Sequence, residues 1–224
     1  MENPWINLKM INNEYIAECD RKYIYNFKNK LKNNFELRLE GFPGPYTGNP
    51  QKALVYLLAS NPGHAEGEEK IYRKYTELFL KDLIHSNVEW PFLTFCPELR
   101  DTPGGIWWTK KLRSIINTTS IETVSNYIFN AEYFPYHSKK YKYINEILPS
   151  QKYTFFLVKE AIKKNKIIII MRSEKIWYKA IPELQNYKNK TVLKSKQGAW
   201  ITSGNMDINI YNKIIEELKN AVHR

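Results

Sequence analysis

Residues 54–63 read LVYLLASNPG, an apolar and partly β-branched run that stops abruptly at Ser60-Asn61-Pro62-Gly63. Such a run, bounded by turn residues, is a buried strand feeding a tight turn. Pro62 fixes one backbone angle, and Gly63 lets a ligand approach the main chain closely. The Asn61 amide is thereby expected at the carboxyl end of a central strand, where open α/β sheets take their ligands. An amide there can hold a water or read a base edge; it can equally close the turn or cap the next helix. His64, just beyond the turn, can contact a phosphate or pass a proton near neutral pH, or simply be solvated.

The elements that must position these groups follow from periodicity. A helix is expected over residues 13–34, with Tyr15, Cys19, Tyr23 and Phe27 along one face. GFPGPYTGNP (residues 41–50) reads as a Gly/Pro loop without regular structure. A first strand is predicted over 53–59 and a helix over 66–85. EWPFLTFCP suggests a short extended piece, and DTPGGIWW (101–108) opens a helix running to about residue 117. Ser120 caps a brief helix leading into a second strand at 126–131. A helix from Ser150 to 164 precedes KIIIIMR (166–172), a continuous apolar run too short for a core helix and so a third strand. Ser173-Glu174 caps a helix through 180, TVLKS (191–195) is a fourth strand, and Asp207 caps the last helix. Strands alternating with helices give a three-layer α/β/α sandwich around a mostly parallel four-stranded sheet.

No repeat or low-complexity linker divides the chain, so residues 1–224 are expected to form one domain. Residues 1–50 supply the N-terminal helix and Gly/Pro loop, and 51–224 the α/β core. A hydrophobic fraction of 43% with six Trp, sixteen Tyr and ten Phe excludes a disordered chain. A net charge of +11 favours a polyanionic partner bound through phosphate contacts. An A/T-rich genome would raise the lysine content as well. Cys19 and Cys96 stand alone, which excludes four-cysteine metal sites and argues against structural disulfides. No stretch of about 18 apolar residues is present to span a bilayer. The first ten residues lack the layout of a signal peptide, so a cytoplasmic protein without a membrane partner is expected. No GxGxxG follows any predicted strand, and no phosphate loop is present, which argues against a dinucleotide oxidoreductase or a kinase.

The strand ending in Asn61-Pro62-Gly63 resembles the first motif of the uracil-DNA glycosylase superfamily. The Asn-Pro-Gly turn is that of its thymine-DNA, mismatch-specific and single-strand-selective branches. YIFNAEYFPYHS (127–138) looks like the family's base-reading strand. LPSQKYTFFLVKEAIKKNKIIIIMRSEKIW (148–177) has the helix–strand–helix order that precedes the second motif, and VLKSKQGAWITSGNM (192–206) takes the place of the loop that enters the minor groove. The likeness spans roughly residues 41–206, and its serial order carries more weight than any single motif.

The resemblance implies a monofunctional DNA glycosylase that leaves an abasic site, working as a monomer without a cofactor or metal. The nucleotide must be flipped out, since the anomeric carbon is out of reach in a duplex. Asn61 would orient the attacking water, and because an amide is no strong base the sugar would ionise first. Backbone around Pro62 and Gly63, with Lys194 or Gln197, would stabilise charge on the departing base. Asn130 or Glu132, on one face of the second strand, would read the base edge; each also fits a buried group that satisfies nearby backbone. Tyr133 could stack on the base or pack in the core. Tyr72, close to where the family's aromatic platform is expected, is the candidate for that role, with His64 assisting. Ser195, Lys196, Ser203 and Asn205 would hold phosphates, with Trp200, or Met206, as the wedge filling the vacated stack.

The chain departs from the family where efficient uracil branches carry His-Pro-Ser; here the sequence is Lys194-Ser195-Lys196-Gln197-Gly198. That loss points to an altered pocket for a modified or mismatched base, as in defence against phages with modified DNA. The alternative is a DNA-binding module that kept the fold and lost the chemistry.

Overall fold

A computed structural model describes residues 1–30, 37–138, 141 and 143–222. The chain opens with a hairpin of β1 (Met10–Ile11) and β2 (Glu14–Tyr15), followed by α1 (Arg21–Lys30), β3 (Leu37–Arg38), β4 (Tyr46–Thr47) and β5 (Val55–Ala59). Helices α2 (Glu68–Lys74), α3 (Thr76–Leu83), α4 (Pro103–Thr118) and α5 (Ile121–Tyr127) precede β6 (Ile128–Glu132) and β7 (His137–Ser138). Then come α6 (Gln151–Lys163), β8 (Ile167–Ile170), α7 (Glu174–Ala180), α8 (Glu183–Asn186), β9 (Lys190–Val192) and α9 (Ile208–Ala221).

The central sheet has five strands in the order β4-β6-β5-β8-β9. Four are parallel, and β4 runs antiparallel to β6 at the edge. The alternation of side chains divides the core into two layers. Tyr56, Leu58, Phe129, Ile168 and Ile170 pack with Ile24 of α1, Val158 of α6 and Trp177 of α7. Val55, Leu57, Ile128, Ile167 and Ile169 pack with Leu112 of α4, Val124 of α5 and Ile214 of α9. The continuous apolar runs in β5 and β8 are what a sheet covered on both faces requires.

Four expectations change. The sheet has five strands rather than four, because the Gly/Pro loop contributes β4, pairing Tyr46 with Ala131 and Thr47 with Asn130. An antiparallel edge of two residues needs few ladder bonds and tolerates the flanking prolines. Gly48 permits it: its φ is +110°, and a Cβ there would stand 2.6 Å from the Ile128 carbonyl oxygen. The expected helix over 66–85 is broken at Tyr75, whose φ of −118° leaves the helical region. The expected helix over 13–34 is regular α-helix only from Arg21, because Asn12 and Asn13 adopt φ of +52° and +61° and turn a hairpin; residues 31–34 lie outside the described residues. The EWPFLTFCP piece closes as a 3₁₀ turn at Leu93–Phe95 rather than an extended one. Among the described residues no helix is long and apolar enough to cross a membrane.

Candidate functional site

The chain leaves β5 toward β6 on one side, whereas β8 continues to β9 on the other. A crevice therefore opens between the carboxyl ends of β5 and β8, the place where such sheets bind ligands. A hydrogen bond of 2.6 Å between the Ser60 and Ser173 hydroxyls ties the two strand ends together. Ser173 takes a left-handed φ of 57°, which bends the chain away sharply as it leaves β8. Beside this junction lies a cavity of about 490 Å³.

Asn61, Pro62, Gly63 and His64 line the cavity. The Asn61 amide donates to the Pro62 carbonyl and to the Ser138 hydroxyl, both at 2.9 Å. Those bonds occupy its nitrogen and leave Oδ1 without a partner among the described residues, as an acceptor for a water or ligand. A Cβ on Gly63 would meet only open space, so the cavity reaches the backbone there.

Asn130 and Glu132 enter from β6, where the two-residue strand period places them on the same face. Both line the cavity and both are buried, with 3% and 7% exposure. Asn130 Nδ2 donates to Glu132 Oε1 at 3.0 Å, while Asn130 Oδ1 and Glu132 Oε2 have no partner among the described residues. Leaving a buried polar atom unpaired costs about 1–3 kcal/mol, so two side by side on a cavity wall call for a partner in the cavity, water or ligand. Burial raises the Glu132 pKa to about 7, against the opposing pull of the Asn130 hydrogen bond and the Arg172 charge.

A third group flanks the turn. His64 Nδ1 lies 3.9 Å from Glu68 Oε2, which also accepts from the Ala65 backbone at 3.0 Å and from the Tyr72 hydroxyl at 3.4 Å. Tyr72 reaches on to His137 Nε2 at 3.1 Å, and His137 Nδ1 meets the Gly63 carbonyl, so this histidine braces the turn. Burial depresses the His137 pKa, with the Glu68 charge acting the other way, and burial raises that of Tyr72. Tyr72 thus lines the cavity as a fixed, hydrogen-bonded ring.

Several expected site residues fall elsewhere. Tyr133 does not line the cavity; it is buried between Phe155 and Trp177, at ring-centroid distances of 5.3 and 5.4 Å. Lys194 and Gln197 do not line it either; Lys194 is exposed and bonds to the Gly204 carbonyl at 3.3 Å. Their place is taken by Arg172, which lines the cavity and whose guanidinium donates to the Lys196 and Gln197 carbonyls at 3.2 and 3.1 Å. The run KIIIIMR contains that arginine, but the signal is its position just beyond the carboxyl end of β8, which periodicity alone does not weigh. Glu68 and Ser138 were likewise missed, being ordinary residues until the fold sets them against Asn61 and His64.

The 192–206 loop is exposed around its centre. Asn205 organises it, accepting from the Ser195 backbone at 2.6 Å and donating to the Trp200 carbonyl at 2.7 Å, so its amide is spent on the loop rather than free for a phosphate. Lys196 pairs with Glu174 at 2.9 Å, which offsets its charge. Ser195 and Ser203 are exposed. Trp200 is 41% exposed, whereas Met206 is buried in the core and unavailable as a wedge. Lys111 Nζ sits 4.4 Å from the Trp200 ring centre and 5.2 Å from that of Trp107, which lines the cavity rim. Trp108 is buried against Phe92.

Among the described residues, no group of three His, Cys, Asp or Glu side chains is placed to hold a metal ion. No protein-family model, curated protein or solved structure matches this chain.

Proposed function

We propose that this protein is a monofunctional DNA glycosylase that hydrolyses the N-glycosidic bond of a flipped, modified or mismatched base. The observation that carries the reading is the convergence of Asn61 with the Asn130–Glu132 pair on one cavity at the sheet's switch point. In this reading the base enters the cavity and its edge meets Asn130 and Glu132. Asn61 Oδ1 accepts a hydrogen bond from the attacking water, its nitrogen already held by Pro62 and Ser138. The C–N bond breaks first, giving an oxocarbenium-like sugar and an anionic base. Water then adds to the anomeric carbon and loses a proton, for which His64, beside Glu68 on the cavity wall, is the assigned acceptor. Arg172 supplies positive charge at the cavity wall for the departing base. Trp200, exposed on its loop next to Lys111, fills the vacated stack. Cells guarding against phages with modified DNA are the proposed setting.

The second reading, a binding module without chemistry, is favoured by one observation: the loop in the second-motif position sends no side chain into the cavity. The two separate when DNAs carrying uracil, mismatched thymine, or hydroxymethylated or glucosylated cytosine are incubated with the protein and free base is measured. Release from one DNA, abolished by Asn61→Ala with DNA affinity retained, is the expected result. Tight binding without release across the panel would transfer the assignment to the binding module.

A further inference from the structure

We infer that the cavity is built for a base carrying an exocyclic amino group, of cytosine, adenine or guanine type, and that it rejects uracil and thymine. The inference rests on the reading of the cavity as a base pocket, whether or not the base is then released.

Both orphan atoms in the cavity, Asn130 Oδ1 and Glu132 Oε2, are oxygens. Their identity is not interchangeable with nitrogen. The Asn130 amide nitrogen faces Glu132 Oε1 at 3.0 Å, and turning the amide over would set its oxygen against a carboxylate oxygen. With Glu132 ionised, the pair presents two acceptors and asks its ligand for donors. An exocyclic amino group carries two N–H on one nitrogen, and carboxylates accept from the amino group of cytosine in direct base readout. Uracil and thymine bring a single ring N–H between two carbonyls. One of those carbonyl oxygens would face Glu132, leaving an acceptor against an acceptor on a buried cavity wall. A missing complement of this kind separates substrates far more strongly than a change of size does. Arg172, at the same cavity, only partly offsets the burial that raises the Glu132 pKa to about 7, so the carboxylate acts as an acceptor above that pH.

The test uses duplexes with one central 2′-fluoroarabino nucleotide, a sugar that resists base loss, bearing cytosine, adenine, guanine, uracil or thymine. Equilibrium dissociation constants are measured at pH 8, where Glu132 is ionised, for the full chain and for Glu132→Gln, which keeps the side-chain shape but replaces one acceptor by an N–H donor. The wild-type protein is expected to bind at least one amino-bearing base roughly tenfold or more tightly than uracil and thymine. Glu132→Gln is expected to collapse or invert that ratio. Equal or tighter binding of uracil or thymine by the wild-type protein would overturn the inference, as would a ratio unchanged in Glu132→Gln or no discrimination among the five. The wild-type ratio stands without any variant, so misfolding of Glu132→Gln cannot rescue the idea. Base release from the corresponding ordinary DNAs is scored separately. Selectivity without release overturns the catalytic reading alone, and release of uracil overturns this inference alone.

Discussion

Ser138 Oγ accepts a hydrogen bond from Asn61 Nδ2 at 2.9 Å across 77 positions of sequence. The bond links the turn after β5 to β7 and fixes which way the amide faces. With its nitrogen committed, Asn61 has only its oxygen left, the atom that orients the water in the proposed mechanism. Ser138 is in this sense a positioning residue, itself held by the antiparallel pairing of Leu37 with Ser138.

Ser138→Ala should therefore lower single-turnover base release by roughly tenfold to a hundredfold through misorientation of Asn61, with DNA affinity unchanged. Ser138→Thr restores the hydroxyl and should recover most of the rate. Wild-type rates in Ser138→Ala would remove Ser138 from the argument.

The buried carboxyls give stability a distinctive pH dependence. Burial raises Glu132 to about 7 and Asp82 to about 8, from ordinary values of 4.5 and 3.8. The folded state thus holds protons that the unfolded chain has already released. The contribution of both groups is full below their unfolded values and is lost as pH rises through the folded ones. His85 and His137 are depressed by burial and favour the opposite trend, but only below their unfolded value of 6.5. Between pH 6.5 and 8 stability should fall, by on the order of 1 kcal/mol per pH unit. Glu132→Gln should flatten that slope and be the more stable protein at pH 8. Urea unfolding at the two pH values checks this, and a wild-type protein more stable at pH 8 would contradict it.

Much of this architecture was legible because its signals are local. Four β-branched residues in a row at Ile167–Ile170 allow little besides a buried strand, and Ser120 and Asp207 do accept from the backbone N–H groups their cap positions predict. The edge strand at Tyr46–Thr47 was not legible, because its existence depends on a partner strand more than eighty residues later and on the glycine that follows it. The site divides in the same way. Asn61, Asn130 and Glu132 could be singled out by strand position, since alternation fixes which side chains share a face. Arg172, Glu68 and Ser138 acquire meaning only from neighbours distant in sequence. Tyr133 went the other way, since an aromatic residue after a strand looks the same whether it faces a ligand or, as here, Trp177.

Gly105 is the residue on which the cavity's α4 wall depends. A Cβ there would stand 2.3 Å from the Leu99 carbonyl oxygen and 2.4 Å from that of Arg100, both backbone atoms that a rotamer change cannot move. Gly105→Ala should destabilise the fold by about 2–4 kcal/mol despite the better helix propensity of alanine. Gly104→Ala, whose Cβ would meet only a Thr94 methyl at 3.7 Å, should be close to neutral. Thermal unfolding of the two variants side by side tests the contrast, and equal loss in both would refute it.

Trp200 tests how the loop would meet DNA in the proposed function. Its ring is 41% exposed and lies 4.4 Å from Lys111 Nζ, which also donates to the Gly198 carbonyl; burial, with Arg172 and Lys110 nearby, lowers the Lys111 pKa. The exposed indole thus lies against a cation that is itself bonded to the loop backbone. Trp200→Ala should leave stability within about 0.5 kcal/mol, as for an exposed side chain. It should weaken binding to DNA with a flipped base by about 1–3 kcal/mol, the range of a lost base–aromatic contact. The salt dependence should stay the same, because no phosphate contact is removed. Glu174→Gln should do the reverse. Freeing Lys196 from its 2.9 Å ion pair should tighten DNA binding and steepen the salt slope by about one counterion, while leaving the flipped-base preference intact. Titrations at two salt concentrations, on duplexes with and without a central mismatch, separate these effects. A Trp200→Ala protein that binds both duplexes like wild type would show that the ring rests on the surface and does not enter the stack.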